Sequence, residues 1–181
     1  IERAITKKTK AIMPVSLYGQ PADMKPILEI SKKHKLKVII DGAQSFGSTY
    51  HNKLDSNLGD ISITSFFPSK PLGCYGDGGA VFTNNQEYSK KIKSLRVHGQ
   101  NKRNHHKFIG IGGRLDTIQA GILLAKLPHF SKELKDRQLV SENYTNSLHK
   151  DLKKPVVKPN RTSSWAQYTI KLKNRDDLKT K

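Results

Sequence analysis

The run Lys37-Val38-Ile39-Ile40-Asp41 constrains the fold of this chain more than any other segment. Consecutive β-branched residues favour an extended strand, and a strand apolar on both faces needs cover on both sides. An amphipathic stretch stands directly before it. From Asp23 to Lys35 the apolar residues Met24, Ile27, Leu28 and Ile30 recur at helical spacing, and Pro26 falls in the first turn, where proline is tolerated. A helix leading into a buried strand is one repeat of α/β layering. The alternation continues on either side. Ala11-Ile12-Met13-Pro14-Val15 reads as a buried strand, Gly47 to Gly59 as a polar loop or small hairpin, and Ile61-Ser62-Ile63-Thr64-Ser65-Phe66 as another strand. Gly76-Asp77-Gly78-Gly79 is a turn before the strand Ala80-Val81-Phe82-Thr83, and a helix follows from Gln86 to Leu95. The expected class is α/β, a mostly parallel sheet with flanking helices.

Further on, Asp116 to Lys126 is an apolar helix ended by Pro128, and Phe130 to Leu152 a long charged helix. Lys153 to Pro159 breaks the pattern as a linker or crossover, and Trp165 to Leu172 is strand-like, so a second unit is expected there. The division expected is residues 1–128 for a large domain and 129–181 for a connecting helix with the start of a smaller one.

A chain of 181 residues supports one sizeable core. No apolar run approaches the roughly 18–20 residues of a membrane span, so no membrane partner is expected. Ile1 to Ile5 lack the basic start and apolar stretch of a secretory signal. Cys74 is the only cysteine, which excludes an internal disulfide and suits a reducing compartment; the cytoplasm is the expectation. Ile1 and the charged end Lys179-Thr180-Lys181 read as cuts within a longer chain.

The net charge of +18 raises the question of nucleic acid. Lysine outnumbers arginine, however, and base-edge readout favours arginine. The lysines are also spread along helix-like segments such as Ser31 to Lys35, Ser89 to Lys93 and Asp136 to Lys154. A lysine-rich solvated surface is the simpler account, and a positive field that draws an anionic sugar nucleotide is a second. Nucleic acid is the least favoured partner.

The chemistry concentrates near the ends of two strands. Asp41 closes one of them, and ligands gather at strand ends in open α/β sheets. Lys70 follows Ser65 in Thr64-Ser65-Phe66-Phe67-Pro68-Ser69-Lys70. A lysine amine that forms a Schiff base, a carboxylate for a pyridine nitrogen and a hydroxyl for a phosphate together make a pyridoxal 5'-phosphate (PLP) site. Gln44 stands where it would bond the ring hydroxyl or lie against the ring. Each residue has a plainer alternative: Asp41 as a cap on the next turn, Gln44 as a loop amide, Ser65 as a strand hydroxyl bonding a neighbour, and Lys70 as a surface charge. Gly76 to Gly79 fits neither a Walker loop nor a dinucleotide fingerprint and reads as tight backbone near the site. His98, His105 and His106 read as a basic surface loop rather than a metal site, since no cysteine or paired carboxylate joins them.

Four motifs stand in order: Pro14-Val15-Ser16-Leu17-Tyr18-Gly19-Gln20-Pro21-Ala22-Asp23-Met24, Asp41-Gly42-Ala43-Gln44-Ser45, Ser65 to Lys70 with Gly76 to Ala80, and Gly113-Arg114-Leu115-Asp116-Thr117-Ile118-Gln119-Ala120. Their order and spacing resemble the DegT/DnrJ/EryC1/StrS sugar aminotransferases of fold type I. The resemblance implies Lys70 as Schiff-base lysine, Asp41 as partner of the pyridine nitrogen, Gln44 near the ring and Ser65 on the cofactor phosphate. It implies a nucleotide-sugar substrate, an amino-acid donor (glutamate), and a homodimer with active sites at the subunit interface. The segment Gly112 to Arg114 would then reach the partner's cofactor phosphate, although many members carry asparagine where this chain has Gly112. The form Leu17-Tyr18-Gly19-Gln20 is similar to members that aminate the 3-keto group of UDP-N-acetyl hexuluronic acids for surface polysaccharides. Members of the family extend beyond both ends of this chain, so a middle portion of an enzyme is expected. A PLP-dependent sugar dehydratase is the runner-up, against which Lys70 counts, because those members replace the lysine by histidine. A non-catalytic regulatory or anion- or nucleic-acid-binding remnant is the alternative from another class.

Overall fold

In the computed structural model the described residues are 1–180; Lys181, the last residue of the expected second unit, lies outside them. The elements in chain order are β1 (Ala11–Ile12), α1 (Met24–Lys33), β2 (Lys37–Asp41), the hairpin of β3 (Thr49–Tyr50) and β4 (Lys53–Leu54), β5 (Ile61–Ser65) and β6 (Gly79–Phe82). They continue with α2 (Gln86–Leu95), the hairpin of β7 (Gln100–Lys102) and β8 (His105–His106), α3 (Thr117–Lys126), α4 (Phe130–Ser147) and α5 (Arg175–Lys179).

The main sheet has the order β1-β2-β5-β6. The first three strands are parallel, and β6 returns antiparallel to β5. Register puts Ile39 beside Ile61 and Asp41 beside Ile63, so β2 and β5 end on the same edge of the sheet. Val38 and Ile40, two residues apart on β2, turn to one face and pack with Ile12, Met24, Ile27 and Tyr50 beneath α1. A second core lies past the far end of β5, where Phe66, Leu72, Cys74, Leu123 and Phe130 meet. Phe46 packs onto this second core and reaches β6, with its ring centroid 6.0 Å from those of Phe66 and Phe82 and 5.4 Å from that of Phe130. Phe130 opens α4, so the helix expected to begin a second unit is rooted in this core.

Three expectations change. Trp165 to Leu172 does not form a strand: its backbone pairs only at the isolated bridge of Lys171 with Lys153. A strand needs a neighbour for its ladder, and here the segment is held by single anchors instead. Trp165 Nε1 donates to Gln138 Oε1 at 2.6 Å, and Arg137 Nη1 donates to the Trp165 carbonyl at 3.2 Å, both from α4. The helix read as reaching Leu152 stops at Ser147, where Lys154 Nζ donates to the carbonyls of Thr145 (2.6 Å) and Leu148 (2.7 Å) and so satisfies free acceptors of the last turn. The basic loop after Val97 contains the β7–β8 hairpin, turned at Asn104 with φ 62°. No helix among the described residues is long and apolar enough to cross a membrane.

Candidate active site

Asp41 is gripped by its backbone from both sides. Its N–H donates to the Pro14 carbonyl at 2.9 Å, its carbonyl accepts from Ser16 N–H at 3.0 Å, and the next residue, Gly42, donates to the Ile63 carbonyl at 2.9 Å. These bonds carry the parallel ladder past the strand and fix the half-buried carboxylate at the C-terminal edge of the sheet. Oδ1 accepts from Ala43 N–H at 3.0 Å, the turn-capping role. Oδ2 has no partner among the described residues, so one oxygen is committed and one is available.

Gln44 lies in the same turn. Its Oε1 accepts from Tyr18 N–H at 2.6 Å, which leaves the side-chain NH2 free to donate. Tyr18 adopts a left-handed backbone (φ 62°), uncommon for a residue with a side chain, and this aims its N–H at Gln44.

Ser65 ends β5 opposite Gly79. Its Oγ accepts from Phe67 N–H at 3.2 Å, so the hydroxyl hydrogen remains free for an anion. Gly79 is glycine because a Cβ there would stand 2.8 Å from the Thr64 carbonyl oxygen. The tight backbone read at Gly76 to Gly79 therefore leads into the strand that pairs with the Ser65 end.

Lys70 sits in the loop between β5 and β6, half-buried, with its N–H on the Phe67 carbonyl at 2.9 Å. The loop is closed by Phe66 N–H to the Gly78 carbonyl (2.7 Å) and Cys74 N–H to the Phe66 carbonyl (2.8 Å). Helix α3 pins it from outside: Lys126 Nζ donates to the Gly73 carbonyl at 2.7 Å, and Gln119 Oε1 accepts from Tyr75 N–H at 2.8 Å. Of the two aromatics before the lysine, Phe66 is buried and Phe67 is exposed. Lys70 Nζ has no hydrogen bond or ion pair among the described residues. The sheet thus places Asp41, Gln44 and Ser65 along one edge, with Lys70 on the loop that leaves that edge.

Arg114 lines a separate open groove of about 990 Å³ together with Gly79, Val81, Ile92 and Ile111, beside the free edge of β6. His98, His105 and His106 are exposed, and His106 Nδ1 bonds the His98 carbonyl at 3.0 Å.

Sequence reasoning missed four contributors: Tyr18, Gln119, Lys126 and Asp55. The first three act through contacts between distant segments, and although Tyr18 and Gln119 stand within the quoted motifs, nothing local there gives their roles. Asp55 is 2% exposed. Burial pushes its carboxyl above the ordinary range, against the hydroxyl of Ser45, which donates to Oδ2. Oδ1 has no partner among the described residues. A carboxylate under the Asp41–Ser45 turn was not signalled by its polar setting Lys53-Leu54-Asp55-Ser56-Asn57, which resembles any surface loop.

Comparison with known proteins shows the family to which the chain belongs. The profile of the DegT/DnrJ/EryC1/StrS aminotransferase family matches residues 1–181. The chain is 50% identical over 179 residues to the UDP-2-acetamido-2-deoxy-3-oxo-D-glucuronate aminotransferase of Pseudomonas aeruginosa, covering 98% of this chain and 50% of that protein. It is 43% identical over 182 residues to a protein of Geobacillus stearothermophilus called pleiotropic regulatory protein, covering 98% of this chain and 49% of the other. Among solved structures, NtdA from Bacillus subtilis, with bound cofactor PMP, superposes with a TM-score of 0.81 at 32% identity, over 99% of this chain and 42% of that one. The chain belongs to the DegT/DnrJ/EryC1/StrS aminotransferase family, and its sheet and flanking helices are part of the fold type I architecture. It spans about half the length of the curated relatives it matches.

Proposed function

We propose that this chain supplies the cofactor-lysine portion of a PLP-dependent aminotransferase that moves an amino group from an amino acid, glutamate by family resemblance, to a nucleotide-linked keto sugar. The observation that carries the reading is unengaged chemistry along one sheet edge: among the described residues Lys70 Nζ and Asp41 Oδ2 have no partners, and Ser65 has a free hydroxyl hydrogen. These residues fit the group. Lys70 would hold the cofactor covalently, Asp41 would face the pyridine nitrogen, Gln44 would donate beside the ring, and Ser65 would bond the phosphate. When bound, the cofactor supplies an electron sink for the substrate carbon. The Asp41 carboxylate would keep the ring nitrogen protonated by charge complementarity. The Lys70 amine would take and return the proton at the substrate carbon.

The 3-oxo UDP-sugar in the name of the Pseudomonas relative supports a UDP-N-acetyl-3-keto-hexuluronate as substrate; surface polysaccharide synthesis as its use rests on the motif resemblance alone. A homodimer, with Gly112 to Arg114 reaching the neighbouring site, and a cytoplasmic location complete the reading. So does a boundary near Pro128, with residues 129–181 leading into a smaller domain.

The test compares the wild-type protein with Lys70→Ala after addition of PLP. The wild type is expected to gain the visible absorbance of a lysine-bound cofactor, and borohydride reduction to leave the label on the Lys70 peptide. Equal absorbance in both proteins sinks the lysine assignment. A regulatory, non-catalytic reading draws on the name of the Geobacillus relative and on the charge of +18. Binding to nucleic acid with a steep salt slope, in a protein that takes up no PLP, would favour it.

A further inference from the structure

Ser164 lies far along the chain from the candidate site, yet it is 0% exposed and packed against it. Its Oγ donates to the Gln44 carbonyl at 2.7 Å, and its N–H donates to the Gly19 carbonyl at 2.9 Å. Gly19 follows Tyr18, whose N–H holds the Gln44 side chain. One residue therefore ties together both segments that determine where Gln44 points: its own main chain and the turn that grips its amide.

The fit at this junction is close. Gly19 has φ +109°, and a Cβ there would lie 2.7 Å from Trp165 N and 2.8 Å from Ser164 Oγ. Tyr18 (φ 62°) and Trp165 (φ 49°) on either side are both left-handed. Backbone in that region persists where surrounding bonds over-determine it. Ser164 makes two of those bonds, and Trp165 carries the restraint onward to Gln138 on α4.

We propose that Ser164 is a positioning residue for the cofactor face of the site. It holds Gln44 and the Tyr18–Gly19 turn in one arrangement, so that the Gln44 amide stays beside the strand end that presents Asp41. The proposal rests on the PLP reading for the ligand, but the junction itself exists without a ligand and can be measured so.

The experiment follows hydrogen exchange at the Tyr18 amide by NMR, in the protein without cofactor, and PLP affinity by titration. Replacing Ser164 by alanine removes one bond to the Gln44 carbonyl, so Tyr18 exchange should quicken roughly fivefold and PLP affinity fall by a similar factor. The affinity loss should vanish when Ser164→Ala is made in a Gln44→Ala background, because residues acting through one another are non-additive. Ser164→Cys, of similar volume and poorer donor strength, repeats both measurements if the alanine variant does not fold. Unchanged Tyr18 exchange, or an affinity loss that persists in the Gln44→Ala background, overturns the proposal. If Tyr18 responds while wild type and Lys70→Ala take up PLP alike, the cofactor reading has failed and the junction stands supported.

Discussion

Asp55 shows how a single buried residue beneath a site makes folding stability depend on pH. Its folded carboxyl has a raised pKa because burial disfavours the charge. Well below the ordinary value of 3.8, folded and unfolded chains are both protonated there and the residue is neutral in its effect. Above it the unfolded chain ionises freely and the folded chain resists, so stability falls as pH rises toward the folded pKa. Asp55→Asn keeps an acceptor for Ser45 and removes the charge. Its melting midpoint should exceed that of wild type at pH near 7 and converge on it near pH 3; a difference independent of pH would refute the sign. The candidate residues stood out in the sequence because each combines a reactive group with a strand end or turn. Their plainer roles are realised as well: Asp41 caps Ala43, and Ser65 accepts from Phe67. The structure adds the free valences that those roles leave. It also adds Tyr18, whose part depends on a backbone angle that residue type does not announce.

At the scale of elements, two glycines make a matched test. Gly47 (φ +87°) lies between the Asp41–Ser45 turn and α4, and a Cβ would meet Leu134 Cδ1 at 2.6 Å and Phe130 Cε1 at 2.8 Å. Gly47→Ala should destabilise by about 2 kcal/mol or more, from strain and overpacking together. Gly121 is inside α3 with nothing near its Cβ position, so Gly121→Ala should stabilise by roughly 0.5–1 kcal/mol. Denaturant midpoints of the two variants check both signs. Helices α1 and α2 were readable at nearly their final bounds because their apolar spacing is local, and Asn85 caps α2 by accepting from Tyr88 N–H at 3.0 Å. The segment from Trp165 to Leu172 was misread because alternation indicates a half-buried extended run, not the existence of a neighbouring strand.

For the molecule as a whole, the charge of +18 makes a field rather than a fold. If the ligand is a nucleotide sugar, its association rate should fall on the order of tenfold as salt rises from roughly 10 to 150 mM, since the Debye length shortens from about 30 to 8 Å. Stopped-flow mixing at the two ionic strengths measures this, and a rate insensitive to salt removes the field from the account. The order of the elements, the α/β class and the family were all written in local runs: β-branched strands, periodic helices and four motifs in series. Spacing along one chain is enough for those, because hydrophobic period and turn chemistry act between near neighbours. The direction of β6, the rooting of α4 through Phe130 in the core, and the meeting of Ser164 with Gln44 were not written there. Each depends on which distant surfaces find complementary shape and free hydrogen-bonding groups, and such contacts exist only once the whole chain has packed.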